Sequence, residues 1–255
     1  MQNVLSKYTP LLAIAFMALI TFSCKEDPDP IPALPGQVTL EFDNVVGEAA
    51  LSLDDQDYNN ANGDQFKVSM FKYYISNIIL KKTDGTEYKQ PESYYLVDES
   101  NADSKLITIK EIPAGEYTGL TFTIGVDSVR NVSGAQTGAL DPANGMFWTW
   151  KSGYVFVKLE GTSPQSQNGG LVFHIGGFQK PNNTIRTISP SLNGTKLQVE
   201  GGKNPEVHFK VNVLNMFQGV NTIKFADLAT TMGGENSVRV ADNYVNMFTV
   251  DHIHP

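Results

Sequence analysis

The chain has 255 residues, 41% of them hydrophobic and 18% charged, with 22 Gly, 13 Pro and a formal net charge of −8. That balance fits a turn-rich globular protein and excludes a collagen-like or wholly disordered chain. The charge is spread without a basic cluster, which argues against a nucleic-acid partner, and a single cysteine, Cys24, excludes a disulfide framework or a cysteine metal cluster.

The first element is a leader. Lys7 precedes an apolar run from Leu11 to Phe22, too short to span a bilayer as a helix but of the length of a secretory h-region. The run ends at Ser23-Cys24, which resembles the lipobox of bacterial lipoproteins, although Thr21 stands where leucine is more usual. That resemblance implies a signal peptide over 1–23, an acylated Cys24 as mature N-terminus and a lipid anchor in the outer membrane. Lys25-Glu26-Asp27 resembles the surface-export signal of lipoproteins in the Bacteroidetes group, so the protein is expected on the periplasmic or the cell-surface side. Residues 24–36, rich in Pro and Asp, read as an extended tether.

From residue 37 to 255 the pattern is all-β. Val38, Leu40 and Phe42 alternate with polar neighbours, as do Phe66, Val68 and Met70. Tyr74 to Leu80 leads into Thr83-Asp84-Gly85, a hairpin signal, and Pro113-Ala114-Gly115 separates the strand-like runs 106–112 and 120–126. Runs at 154–159, 171–175, 197–199 and 207–213 continue the series, and only Phe225 to Met232 suggests a short helix. The expectation is one antiparallel β-sandwich of about nine strands, with a short helical segment near the C-terminus.

Few residues carry chemistry. No phosphate-binding Gly-Lys-Ser/Thr loop, His-Glu-x-x-His or Gly-x-Ser-x-Gly elbow is present, so a non-enzymatic role is expected. Of four histidines, His208 alternates with Lys210 and Asn212 on a solvated face and receives no role, while His174 reads as partly covered. His252 and His254 form an i, i+2 pair whose imidazoles leave one face of an extended strand, where they can share a metal; a polar chain end without a ligand is the alternative. Both tryptophans fall in Met146-Phe147-Trp148-Thr149-Trp150, readable as a hydrophobic lid, a glycan-stacking platform or the wall of a metal site.

Several segments converge on one family. Tyr74-Ile75-Ser76-Asn77-Ile78, Gly125-Val126-Asp127-Ser128-x-x-Asn131, Leu140-Asp141-Pro142-x-x-Gly145-Met146-x-Trp148-x-Trp150-x-Ser152-Gly153-Tyr154 and Phe173-His174-Ile175-Gly176 occur in this order. Together they resemble the MbnP-like copper-binding family, from about Val38 to the end. The resemblance implies an extracytoplasmic β-sandwich that binds copper through histidines. In some members a tryptophan oxidised to kynurenine assists, and the oxidising partner is a dihaem peroxidase-like enzyme. His174 matches the family's Phe-His-x-Gly histidine, and Trp148 and Trp150 match its paired tryptophans. A histidine that some members carry near the end of the first strand is missing from Phe42-Asp43-Asn44-Val45.

The expected centre therefore joins His174 to His252 and His254 beside Trp148 or Trp150, preferring Cu(I), with Met146 or Met247 as a soft thioether. Asp127, Asn131 and Asp141 could hold calcium or form hydrogen-bonded turns. The competing function is a non-catalytic surface or adhesion module that binds glycans through Trp148 and Trp150.

Overall fold

A computed structural model describes residues 33–134, 136–149 and 152–255. The leader, Cys24, the tether up to residue 32 and Trp150 lie outside the described residues. The chain enters β1 (Gly36–Val46), then the two-residue strands β2 (Ala49–Ala50) and β3 (Tyr58–Asn59), and then β4 (Gln65–Lys82). β5 (Glu87–Lys89), β6 (Tyr94–Asp98), β7 (Leu106–Ile112) and β8 (Gly115–Ile124) follow. Next come the one-turn helix α1 (Ser128–Asn131), β9 (Phe147–Thr149), β10 (Gly153–Thr162) and β11 (Gly170–Gly176). β12 (Arg186–Ile188), β13 (Leu197–Val199), β14 (Glu206–Asn212), β15 (Thr230–Met232), α2 (Gly234–Tyr244) and β16 (Phe248–His254) complete the unit Ala33–Pro255.

The strands make two sheets. The smaller runs β16-β14-β1-β2, with β7 also paired to β1. The larger runs β12-β8-β4-β10-β11-β15, with β3, β5, β6, β9 and β13 added along it. Period-two burial explains why they stack: Val207, Phe209 and Val211 of β14 are buried while the residues between them are not. Phe42, Phe209 and Phe248 from the small sheet meet Phe122 and Tyr73 from the large one. Phe42 stacks on Phe209 at 5.1 Å, and the edge of Phe122 meets Phe248 at 5.4 Å. Each such ring removed from water stabilises the sandwich by about 2–3 kcal/mol.

Two features depart from the expectation. The β1–β14 and β11–β15 pairs are parallel, joining segments too distant along the chain for a local pattern to reveal. The helix is present but displaced. Residues 225–232 make a single turn and then β15, because Thr230 and Thr231 are β-branched and Gly233 and Gly234 both have positive φ. The helical face instead comes from Ser237, Val240, Ala241 and Tyr244, buried at helical spacing.

The motif segments of the sequence meet at one end of the large sheet. The Tyr154 amide donates to Asn131 Oδ1 (2.9 Å), whose Nδ2 donates to the Val126 carbonyl (2.7 Å). The Tyr154 hydroxyl donates to Leu140 O (2.7 Å) and that of Tyr74 to Ala139 O (2.8 Å), with the two rings edge to face at 5.7 Å. Gly153 has φ +72°, and a Cβ there would stand 2.1 Å from Asn131 Oδ1. This is a second hydrophobic core around Tyr74, Val126, Met146, Tyr154 and Phe156, cross-tied by hydrogen bonds.

Candidate metal centre

The small sheet assembles a histidine cluster on its outer face. In the register of three neighbouring strands, Glu41 of β1 stands opposite His208 of β14, which stands opposite His252 of β16; one row along, Glu206 faces His254. Side chains directly opposite across strands have Cβ atoms about 4.5–5.5 Å apart, so these form a block of neighbours. A β-bulge between His208 and Phe209 makes it possible, with Asp251 as the unpaired residue of β16. Phe248 and Val250 point into the core, and uninterrupted alternation would send His252 the same way. The bulge absorbs one residue, so Ile253 turns inward and His252 and His254 turn out.

His208, His252 and His254 each offer a ring nitrogen within 4.8 Å of the others. The His208 and His252 rings are stacked at 4.2 Å, and His254 lies edge-on at 5.0 and 4.8 Å from them. His208 sits in the outward row the sequence assigned to solvent, yet its side chain is only 13% exposed because strands flank it on both sides. Its Nδ1 lies 3.1 Å from Glu41 Oε2, so a proton on Nδ1 faces that carboxylate and leaves the lone pair on Nε2. Nε2 is buried without a hydrogen-bond partner. Buried polar atoms are nearly always satisfied, so an orphan imidazole nitrogen beside two further imidazoles fits a metal ligand.

His252 is arranged in the same way. Its Nδ1 is 2.7 Å from Asp251 Oδ2, which leaves Nε2 free. Hydrogen bonds from His252 and Lys210 hold the Asp251 carboxyl below its usual range. Carboxylates behind imidazoles in this manner fix the tautomer and raise ligand basicity in metal sites. Asp43 joins Glu41 and His208 in a second, overlapping group that shares His208.

The other expected residues lie elsewhere. His174 is on β11 of the large sheet and is not in the cluster, so the structure does not bring it to His252 and His254. Its Nε2 instead meets Glu160 Oε1 at 2.7 Å, and Lys158 Nζ is 3.3 Å from the same oxygen. Burial pushes the Glu160 carboxyl up, but the hydrogen bonds from His174 and Lys158 outweigh it and hold the group below its usual 4.5.

Trp148 is half-buried on β9, against Gly176 of β11; a Cβ on Gly176 would stand 2.8 Å from the indole. It lines an open cleft of about 510 Å³ with Gly177, Phe178, Lys180 and Gly233. Met146 and Met247 are fully buried in the two cores, which removes them as thioether ligands. Asp127 and Asp141 cap turns through Val129, Arg130 and Ala143 amides, and Asn131 is committed to Tyr154; the turn account, rather than calcium, describes them.

The family model for MbnP matches residues 35–236. The chain belongs to the MbnP family. Among solved structures, MbnP from Methylosinus trichosporium aligns at 15% identity with a TM-score of 0.48, over 77% of this chain and 82% of that one. No curated protein matches. The MbnP match includes His174, Trp148 and His208 and ends before His252 and His254, so two of the three clustered imidazoles lie beyond it.

Proposed function

We propose that this MbnP-family chain is an exported lipoprotein that binds one copper ion at His208, His252 and His254 and handles copper outside the cytoplasm without catalysing a reaction. The observation that carries the reading is the buried, partnerless Nε2 of His208 between two exposed imidazoles. A copper ion supplies the positive charge those nitrogens lack as a partner, and imidazole suits it. Ligand atoms sit about 2.0–2.1 Å from such an ion, so the 4.8 Å grouping closes by rotation of the exposed His252 and His254 side chains.

Copper stoichiometry and affinity of the purified protein test this. The wild type should bind one ion per chain, and His208→Ala, His252→Ala and His254→Ala should each lose at least about tenfold in affinity. His174→Ala should retain binding. Loss in His174→Ala with retention in His208→Ala would overturn the assignment.

Lipid anchorage rests on the leader and the lone Cys24. Cys24→Ala should release the protein from the outer-membrane fraction or leave the leader uncleaved. Unchanged fractionation together with unchanged processing would refute the anchor.

A further inference from the structure

The donors around the three imidazoles point to the kind of ion the centre takes, an inference that rests on the metal-binding reading above. Glu206 occupies the same outward row of β14 as His208 and pairs in register with His254. Its Oε2 is 3.9 Å from His208 Nε2, the partnerless atom; its other oxygen, Oε1, is 3.4 Å from Asn204 Nδ2. Register therefore sets Glu206, His208, His252 and His254 at the corners of a square, two from each of two adjacent strands, with the three imidazoles already grouped and the Glu206 carboxylate next to His208.

Behind that square stand more carboxylates. Glu41 faces His208 Nδ1, Asp251 faces His252 Nδ1, and Asp43 groups with Glu41. Lys210, 3.1 Å from Asp251, offsets part of this charge. The expected preference for Cu(I) depended on aromatic walls and a thioether. Trp148 belongs to the other sheet and the two candidate methionines to the cores, so none of these three described residues adjoins the square.

We infer that Glu206 is a fourth ligand and that the site selects a divalent ion, Cu2+ or Zn2+, over Cu+. Attraction between a carboxylate and a cation scales with the ion's charge, so each nearby carboxylate favours a dication twice as strongly as a monocation at the same distance. A mixed nitrogen and carboxylate-oxygen set also suits the harder divalent ions, whereas Cu+ prefers sulfur.

Glu206→Gln keeps the shape and removes the charge, on a side chain that is 41% exposed and buries nothing the fold needs. The purified protein and this variant are titrated with Cu2+, with Zn2+ and, under reductant, with Cu+, each against a competing chelator. The variant should lose about 10- to 100-fold in affinity for Cu2+ and Zn2+ and less than about threefold for Cu+. Its Cu2+ form should show altered EPR hyperfine splitting, and its circular dichroism should match the wild type.

Equal losses for all three ions, or none, overturn the role of Glu206 while leaving the three-histidine centre standing. A wild type that takes up Cu+ more tightly than Cu2+ overturns the selectivity. If the wild type takes up none of the three ions, the centre itself fails and the inference falls with it.

Discussion

The motif-dense end of the large sheet and the histidine face of the small sheet are built by different means. At the first, residues from separated segments close a hydrogen-bonded core: Tyr74 donates to Ala139, Tyr154 to Leu140 and Asn131, and Asn131 to Val126, and Gly153 is small because Asn131 occupies the space of a side chain. At the second, two exposed imidazoles flank the largely covered His208, positioned by strand register, one bulge and the carboxylates of Glu41 and Asp251. The segments that most resemble the MbnP family are therefore mainly architectural at this end. The residues with spare ligating capacity lie at the C-terminal edge, partly beyond the family match.

Perturbing each region in turn should break this comparison if it is wrong. The largest effect is expected at Gly153. Alanine there adds a Cβ that meets Asn131 Oδ1 and holds an L-residue at φ +72°. The expected cost is about 3 kcal/mol, a drop of roughly 6–12 °C in melting temperature for a domain of this size. Copper stoichiometry of the folded fraction should stay at the wild-type value. A variant that melts normally yet loses copper would show that the two regions are coupled.

A smaller effect, with a less obvious sign, is expected from deleting Asp251. Removing the bulged residue restores plain alternation while Phe248 and Val250 still face the core, so His252 and His254 still face outward. Copper affinity should fall by no more than about tenfold, from loss of the carboxylate behind His252. Complete loss of binding in a folded deletion variant would mean that the bulge shapes the site directly rather than correcting the parity of the strand.

Much of the sandwich was legible in the chain. Period-two alternation at 38–42 and 207–213 located buried faces, because a half-buried strand must place every second side chain in the core; at 66–70 it held for Phe66 and Val68, but a register shift then puts Phe71 rather than Met70 inside. The i, i+2 spacing of His252 and His254 placed both on one face, and the structure agrees. The displaced helix could also have been read: Ser237, Val240, Ala241 and Tyr244 carry its period, hidden among valines and two asparagines of modest helix propensity.

What the sequence by itself determined, then, is the all-β class, the facing of individual strands and the pairing of two histidines, all properties set by neighbours a few residues apart. Tertiary structure alone decided which histidine joins them. His174 and His208 look alike as outward residues of alternating strands. Parallel pairing of β14 with β1 and antiparallel pairing with β16 put His208 between Glu41 and His252, while pairing of β11 with β10 gave His174 to Glu160. Strand order is fixed by the burial of whole faces across the sandwich, a long-range balance that no local spacing encodes, and it left His208 Nε2 buried and free to take a metal.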